Sequence, residues 1–126
     1  MIRIVLALLS AACTACTSAA PGPSATPDTL ARIVSLIGPA ACTGATQCRT
    51  IGVGERPCGG PENYLAWSVT SIDPAALRLL VERYREERQA ANARSGEQST
   101  CNILPDPGAV CVAGQCRPGG RDRDPA

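Results

Sequence analysis

The sequence predicts a small α+β domain stabilised by disulfides, with two helices and a short antiparallel sheet. Three observations carry that prediction. Six of the eight cysteines, Cys42, Cys48, Cys58, Cys101, Cys111 and Cys116, fall in two clusters of three. Two amphipathic stretches each open on a polar cap followed by proline. Several short apolar runs alternate with period two and end at glycine or proline. In a chain of 126 residues there is room for one domain, and only about 60–70% of the unfolded surface can be buried. There is no Phe, and one Trp and two Tyr supply the aromatic bulk. A core this poor leans on its cystines, each worth about 2–5 kcal/mol to a small domain.

The first helix is marked by Thr26 as cap, Pro27 at the first helical position and Asp28 on the favourable end of the dipole. Leu30, Ile33, Val34 and Ile37 recur at i, i+3, i+4 and i+7, a single apolar face. Gly38-Pro39 stops it. Residues 48–53 alternate loosely as a strand. Residues 64–70 alternate better, with Leu65, Trp67 and Val69 on one face and Tyr64, Ala66 and Ser68 on the other. Trp67 is expected in the core. The second helix has Asp73 as cap and Pro74 first, with Ile72 and Leu77 spaced as a hydrophobic staple. Its buried stripe is Leu77, Leu80, Val81 and Tyr84. Arg78, Glu82, Arg83, Arg85, Glu86, Glu87 and Arg88 cover the solvated side, with pairs such as Arg83 and Glu87 at i, i+4. Gly96 ends it. Ile103-Leu104 and residues 109–112 are candidate edge strands.

The cysteine spacing is C-x5-C-x9-C, then 42 residues, then C-x9-C-x4-C. Six cysteines allow about fifteen pairings, and spacing does not choose among them. If Val112-Ala113-Gly114-Gln115 forms a tight hairpin, Cys111 and Cys116 face each other about 4.5 Å apart, within disulfide reach. Bridges between the two clusters close longer loops, and at least one is expected. The rival is a zinc site. Zinc modules use C-x2-4-C pairs, which the six lack, so no metal is expected.

The N-terminus reads as an export leader. Arg3 supplies a positive charge, residues 4–9 are apolar and Ser10-Ala11-Ala12 are small. The run is far shorter than the roughly 20 residues of a membrane span. Leu8-Leu9-Ser10-Ala11-Ala12-Cys13 resembles a bacterial lipobox. The resemblance implies cleavage after residue 12, a diacylglycerol thioether on Cys13, and a lipid-anchored envelope protein. The alternative acceptor is Cys16, preceded by Cys13-Thr14-Ala15; cleavage there leaves six cysteines to pair evenly. Residues 13–26 then hold the anchor cysteine and a flexible Thr, Ala, Ser, Pro and Gly tether. The cysteine-rich domain spans residues 27–117 and a disordered tail residues 118–126. Thr14 or Thr17 after the acylated cysteine implies the outer membrane, facing the periplasm; secretion without an anchor is the alternative. The stretch C-x5-C-x-x-I-G-x-G-x3-C-G-G-P, then Tyr64-Leu65-Ala66-Trp67-Ser68 and a final C-x2-G-x-C, resembles small cysteine-rich bacterial exported proteins, a resemblance that brings no activity with it.

Without the leader the chain carries eleven Arg and eleven acidic residues, which gives nucleic acid no electrostatic footprint. There is no His, the commonest general base and metal ligand. The serines and threonines show no accompanying base, so no enzyme and no cofactor are expected. The candidate binding loop is residues 52–64, where Glu55, Arg56, Glu62 and Asn63 flank Cys58. Proline and a cystine lower the loop's entropy, which reduces the cost of ordering it on a partner. Cystine-pinned protease inhibitors present loops of this kind, and Arg56 is the side chain such a reading offers. The expected partners are thus the membrane, through the lipid, and a protein met by this loop.

Overall fold

The computed structural model describes residues 28–120. The leader and the whole of residues 13–26, with Cys13, Cys16 and the tether, lie outside the described residues, as do Pro27 and residues 121–126. Within them, two helices, two small antiparallel sheets and three disulfides form a disulfide-rich α+β domain.

Helix α1 spans Thr29–Ile37. Its cap is Asp28 rather than Thr26: the Asp28 carboxylate accepts from the Ala31 N–H at 2.6 Å. Asp28 stands two residues after Thr26 and its carboxylate satisfies one of the orphan donors of a helix that starts at Thr29, later than the Pro27 signal suggests. Ile33 and Ile37 are buried, with Leu30 and Leu36 packed beside them. Val34 is exposed, so the apolar stripe is narrower than its sequence spacing implies. Thr29 takes the fourth place, buried, its hydroxyl donating to Glu87 at 2.7 Å.

After Gly38 the chain runs back along a hairpin formed by residues 109–118. Cys116 N–H donates to Ala40 C=O at 2.8 Å and Cys42 N–H to Gly114 C=O at 2.9 Å, with Ala41 bridged to Gln115. A single 3-10 turn, Ala45–Gln47, leads into β1, Cys48–Val53, which pairs antiparallel with β2, Asn63–Ser68. In β2 the burial is not alternating. Ala66, Trp67 and Ser68 are all buried and Val69, expected on the inner face, lies past the strand and exposed. The end of β2 has packing on both faces, because the hairpin of residues 109–118 lies against it as well as the core.

Helix α2 spans Pro74–Ser95. Asp73 caps it through Ala75 N–H, Pro74 stands first, and Gly96 closes it in the left-handed conformation at φ 63°. Leu77 and Val81 are buried, and Ile72, Leu80 and Tyr84 pack against the same cluster. Arg83 meets Glu87 at 3.3 Å on the outer face. No helix among the described residues is long and apolar enough to cross a membrane.

The second sheet is a hairpin of β3, Ala109–Val112, and β4, Gln115–Pro118. Ala113 and Gly114 form its two-residue turn, both at positive φ. Strand β4 takes in Pro118, and Gly119 N–H donates to Gly108 C=O at 2.8 Å, so ordered pairing reaches past residue 117. Ile103-Leu104 joins neither sheet. Pro105 and Pro107 follow this stretch and remove two ladder donors just beyond it, which works against extending a strand there.

All three disulfides cross between the clusters: Cys42–Cys111, Cys48–Cys116 and Cys58–Cys101. Cys111 and Cys116 are cross-strand neighbours, as the hairpin spacing predicts, but they are not bonded to each other. Cys111 reaches the segment after α1 and Cys116 reaches the start of β1. The two bridges thus tie one hairpin to two different elements, a constraint a bridge within the hairpin would not give.

Candidate functional site

The connection between β1 and β2 carries the candidate binding residues. It is a compact turn: Arg56 N–H donates to Gly60 C=O at 2.9 Å, Gly59 N–H to Arg56 C=O at 2.8 Å, and Glu62 N–H to Val53 C=O at 2.9 Å. Gly54 at φ 78° lets the Glu62 side chain fold directly over the backbone; a Cβ there would collide with the carboxylate.

Helix α2 holds this turn from one side. Tyr84, Arg88 and Asn92 stand at i, i+4 and i+8, one stripe of the helix. Arg88 Nε donates to Glu62 Oε1 at 2.7 Å and Asn92 Nδ2 to Glu55 C=O at 2.6 Å. Sequence reasoning placed Arg88 on the solvated face. It instead continues the buried stripe of Leu77, Val81 and Tyr84, and the spacing that found Tyr84 also reaches Arg88 and Asn92. Burial raises the Tyr84 phenol above its ordinary value, and the Glu62 carboxylate raises it further against the opposing charge of Arg88. Arg88 is itself raised, first by its hydrogen bond to Glu62 and then by that carboxylate's charge.

The Cys58–Cys101 bridge holds the turn from the other side, with Cα atoms 5.2 Å apart. Next to it, Arg56 Nη1 donates to Asn102 C=O at 2.8 Å. Of the four candidate residues, then, Glu62 is occupied by Arg88, the Glu55 backbone by Asn92, and Arg56 by the segment after Cys101. Asn63 is exposed at the start of β2, its Oδ1 accepting from Tyr64 N–H at 2.8 Å. The four share one region: the side chains of Glu62 and Arg56 are engaged within the fold, and at Glu55 it is the backbone carbonyl that is engaged. Between the turn and the end of α2 lies an open polar cleft of about 490 Å3, lined among others by Glu55, Arg56, Gln89, Asn92 and Glu97.

The sulfurs of Cys42, Cys48 and Cys111 lie within 4.8 Å of one another, a metal-like grouping. All three belong to disulfides, and a cystine sulfur has no thiolate charge to offer a cation. Their proximity reflects two bridges packed side by side.

Comparison with known proteins finds no family model, no curated protein and no solved structure that matches the chain.

Proposed function

We propose that the chain is an exported lipoprotein of the bacterial cell envelope, held by a lipid on Cys13, or alternatively Cys16, with a disulfide-stapled domain that binds a partner and catalyses no reaction. The observation that supports this most is the pairing of all six downstream cysteines into three bridges. Such a framework belongs to an oxidising compartment, which the leader provides. It also leaves the two leader cysteines unneeded by the domain, consistent with an acceptor role for one of them. Thr14 or Thr17 favours the outer membrane, facing the periplasm.

The intact mass of the chain isolated from the membrane fraction tests this. The expected species lacks the leader, carries a diacylglycerol adduct at its first cysteine, and gains the six hydrogens of three bridges on reduction. An unmodified mature chain recovered from the medium overturns the anchor in favour of simple secretion.

One observation favours a second reading, a cystine-pinned protease inhibitor. The bridge and the Arg56 guanidinium together hold the chain after Cys101 in place at the surface.

A further inference from the structure

Residues 97–108 run from the end of α2 to β3 without a turn or a bend, and belong to neither sheet. The stretch is nonetheless fixed at two places. At one, Cys101 is bonded to Cys58 and Asn102 C=O accepts from Arg56 at 2.8 Å. At the other, the Asp106 carboxylate accepts from Thr50 Oγ1 at 2.7 and 2.9 Å and from Gly108 N–H at 2.9 Å. Pro105 and Pro107 stiffen the second clamp by fixing φ. Cys101 itself sits at φ 56°, a conformation a non-glycine residue keeps only where its surroundings enforce it.

Ile103 stands between the clamps with 88% of its surface exposed, the most exposed of the large hydrophobic residues described. A single exposed aliphatic side chain is ordinary. Two further properties set this one apart. Its position is fixed from both sides, and among the described residues no hydrogen bond engages the backbone of Ile103 or Leu104. A held segment with free N–H and C=O groups can be read by a strand-reading cleft, with side-chain pockets supplying specificity. Ordering it beforehand removes much of the entropy cost of binding. Residues 101–105 carry no charged side chain, which selects against a pocket built for Arg or Lys.

We propose that residues 102–105 are a prepositioned ligand for a serine protease with an aliphatic specificity pocket, with Ile103 as the side chain that fills it. This rests on the inhibitor reading and replaces Arg56 as the presented residue: Arg56 becomes one of the braces. The association is non-covalent, and no bond is made or broken. Clamps on both sides of the Ile103–Leu104 bond hold the segment in the cleft.

The full-length oxidised chain is titrated against three serine proteases, one preferring small aliphatic residues, one preferring aromatic residues and one preferring Arg and Lys. Sub-micromolar inhibition of the first and little of the third is expected. Ile103→Asp should weaken it by at least about 100-fold, the loss typical of a central anchor residue. Ile103→Arg should transfer inhibition to the Arg- and Lys-preferring protease. Leu79→Ala, an exposed aliphatic change on α2, should leave inhibition as it was. Ile103 is exposed, so its variants should keep all three bridges, read by mass with and without reductant. Inhibition that survives Ile103→Asp but disappears in Arg56→Ala overturns the assignment to Ile103 and keeps the inhibitor reading. Rapid cleavage after residue 103 with loss of inhibition shows a substrate and overturns the proposal. No inhibition of any of the three overturns both the proposal and the inhibitor reading, while the lipid adduct on the same chain is judged separately by mass.

Discussion

Trp67 is the single tryptophan of the chain and the largest side chain in its core, only 8% exposed. Its indole Nε1 is buried with no hydrogen-bond partner. Two effects therefore oppose each other at one residue. Burial of the ring stabilises the domain, and the orphaned N–H costs about 1–3 kcal/mol. The ring must win, because no other residue of the core fills comparable space. Trp67→Phe keeps most of the ring and removes the orphan donor, so it should cost less than about 1 kcal/mol, whereas Trp67→Ala should lose about 3–5 kcal/mol. Guanidinium unfolding followed by far-ultraviolet circular dichroism measures both. Equal losses for the two variants would mean that the N–H, not the ring, is what the site depends on. The same opposition is absent at Val34, which the helical spacing counts as core and the fold leaves exposed. Spacing reports which side of a helix a residue is on, and the partner surface decides how wide the buried stripe is.

At the scale of elements, the hairpin turn shows where the fold carries a local conflict. A two-residue turn between right-twisted strands needs positive φ at both positions. Gly114 adopts φ 75° freely, but Ala113 at φ 49° keeps a Cβ in a region that costs an ordinary residue about 1–2 kcal/mol. Asparagine tolerates this conformation better, and Ala113 is exposed, so Ala113→Asn should raise stability by about 0.5–1 kcal/mol. The expected result is a higher urea midpoint with an unchanged slope; a lower midpoint would show that the turn is not strained at this position. The hairpin was legible in the sequence because its turn chemistry is local, as were the Asp73 cap, Pro74 and Gly96 of α2 and the bounds of β1. What was not legible depends on distant packing. The burial of Ala66, Trp67 and Ser68 in succession requires knowing that β2 is covered on both faces. The role of Arg88 requires knowing that Glu62, 26 residues away, folds back over Gly54. In the candidate site the sequence singled out the loop by its glycines and Cys58. It could not tell a presented side chain from a brace, because that depends on α2 and on the segment after Cys101.

The whole molecule is organised by how its bridges nest. Cys42–Cys111 and Cys48–Cys116 close nearly the same loop, with sequence separations of 69 and 68, and Cys58–Cys101 lies inside them with a separation of 43. Sequence could not choose this pattern, since the pairing follows from which elements pack together rather than from spacing. Loop length does not rank the bridges either. In the chain-entropy picture the range from the shortest to the longest is worth only about 0.4 kcal/mol, and the two outer bridges each keep closed the loop the other closes. Burial does rank them. Cys48 and Cys116 are 4% and 6% exposed and belong to the core, so reaching their sulfurs requires opening it. Cys58 and Cys101 are both exposed. Thiol–disulfide exchange proceeds by direct attack on a sulfur, so access controls the order of reduction. Under graded dithiothreitol in native buffer, followed by alkylation and peptide mass mapping, Cys58 and Cys101 should therefore be labelled first. The far-ultraviolet spectrum should hold at that stage, because the core lies under the other two bridges. Residues 97–108 should become sensitive to proteolysis at the same step, since one of their two clamps has been released. Labelling of Cys48 or Cys116 before Cys58 would mean that the core opens more readily than the exposed bridge, and the nested order of stability would not hold.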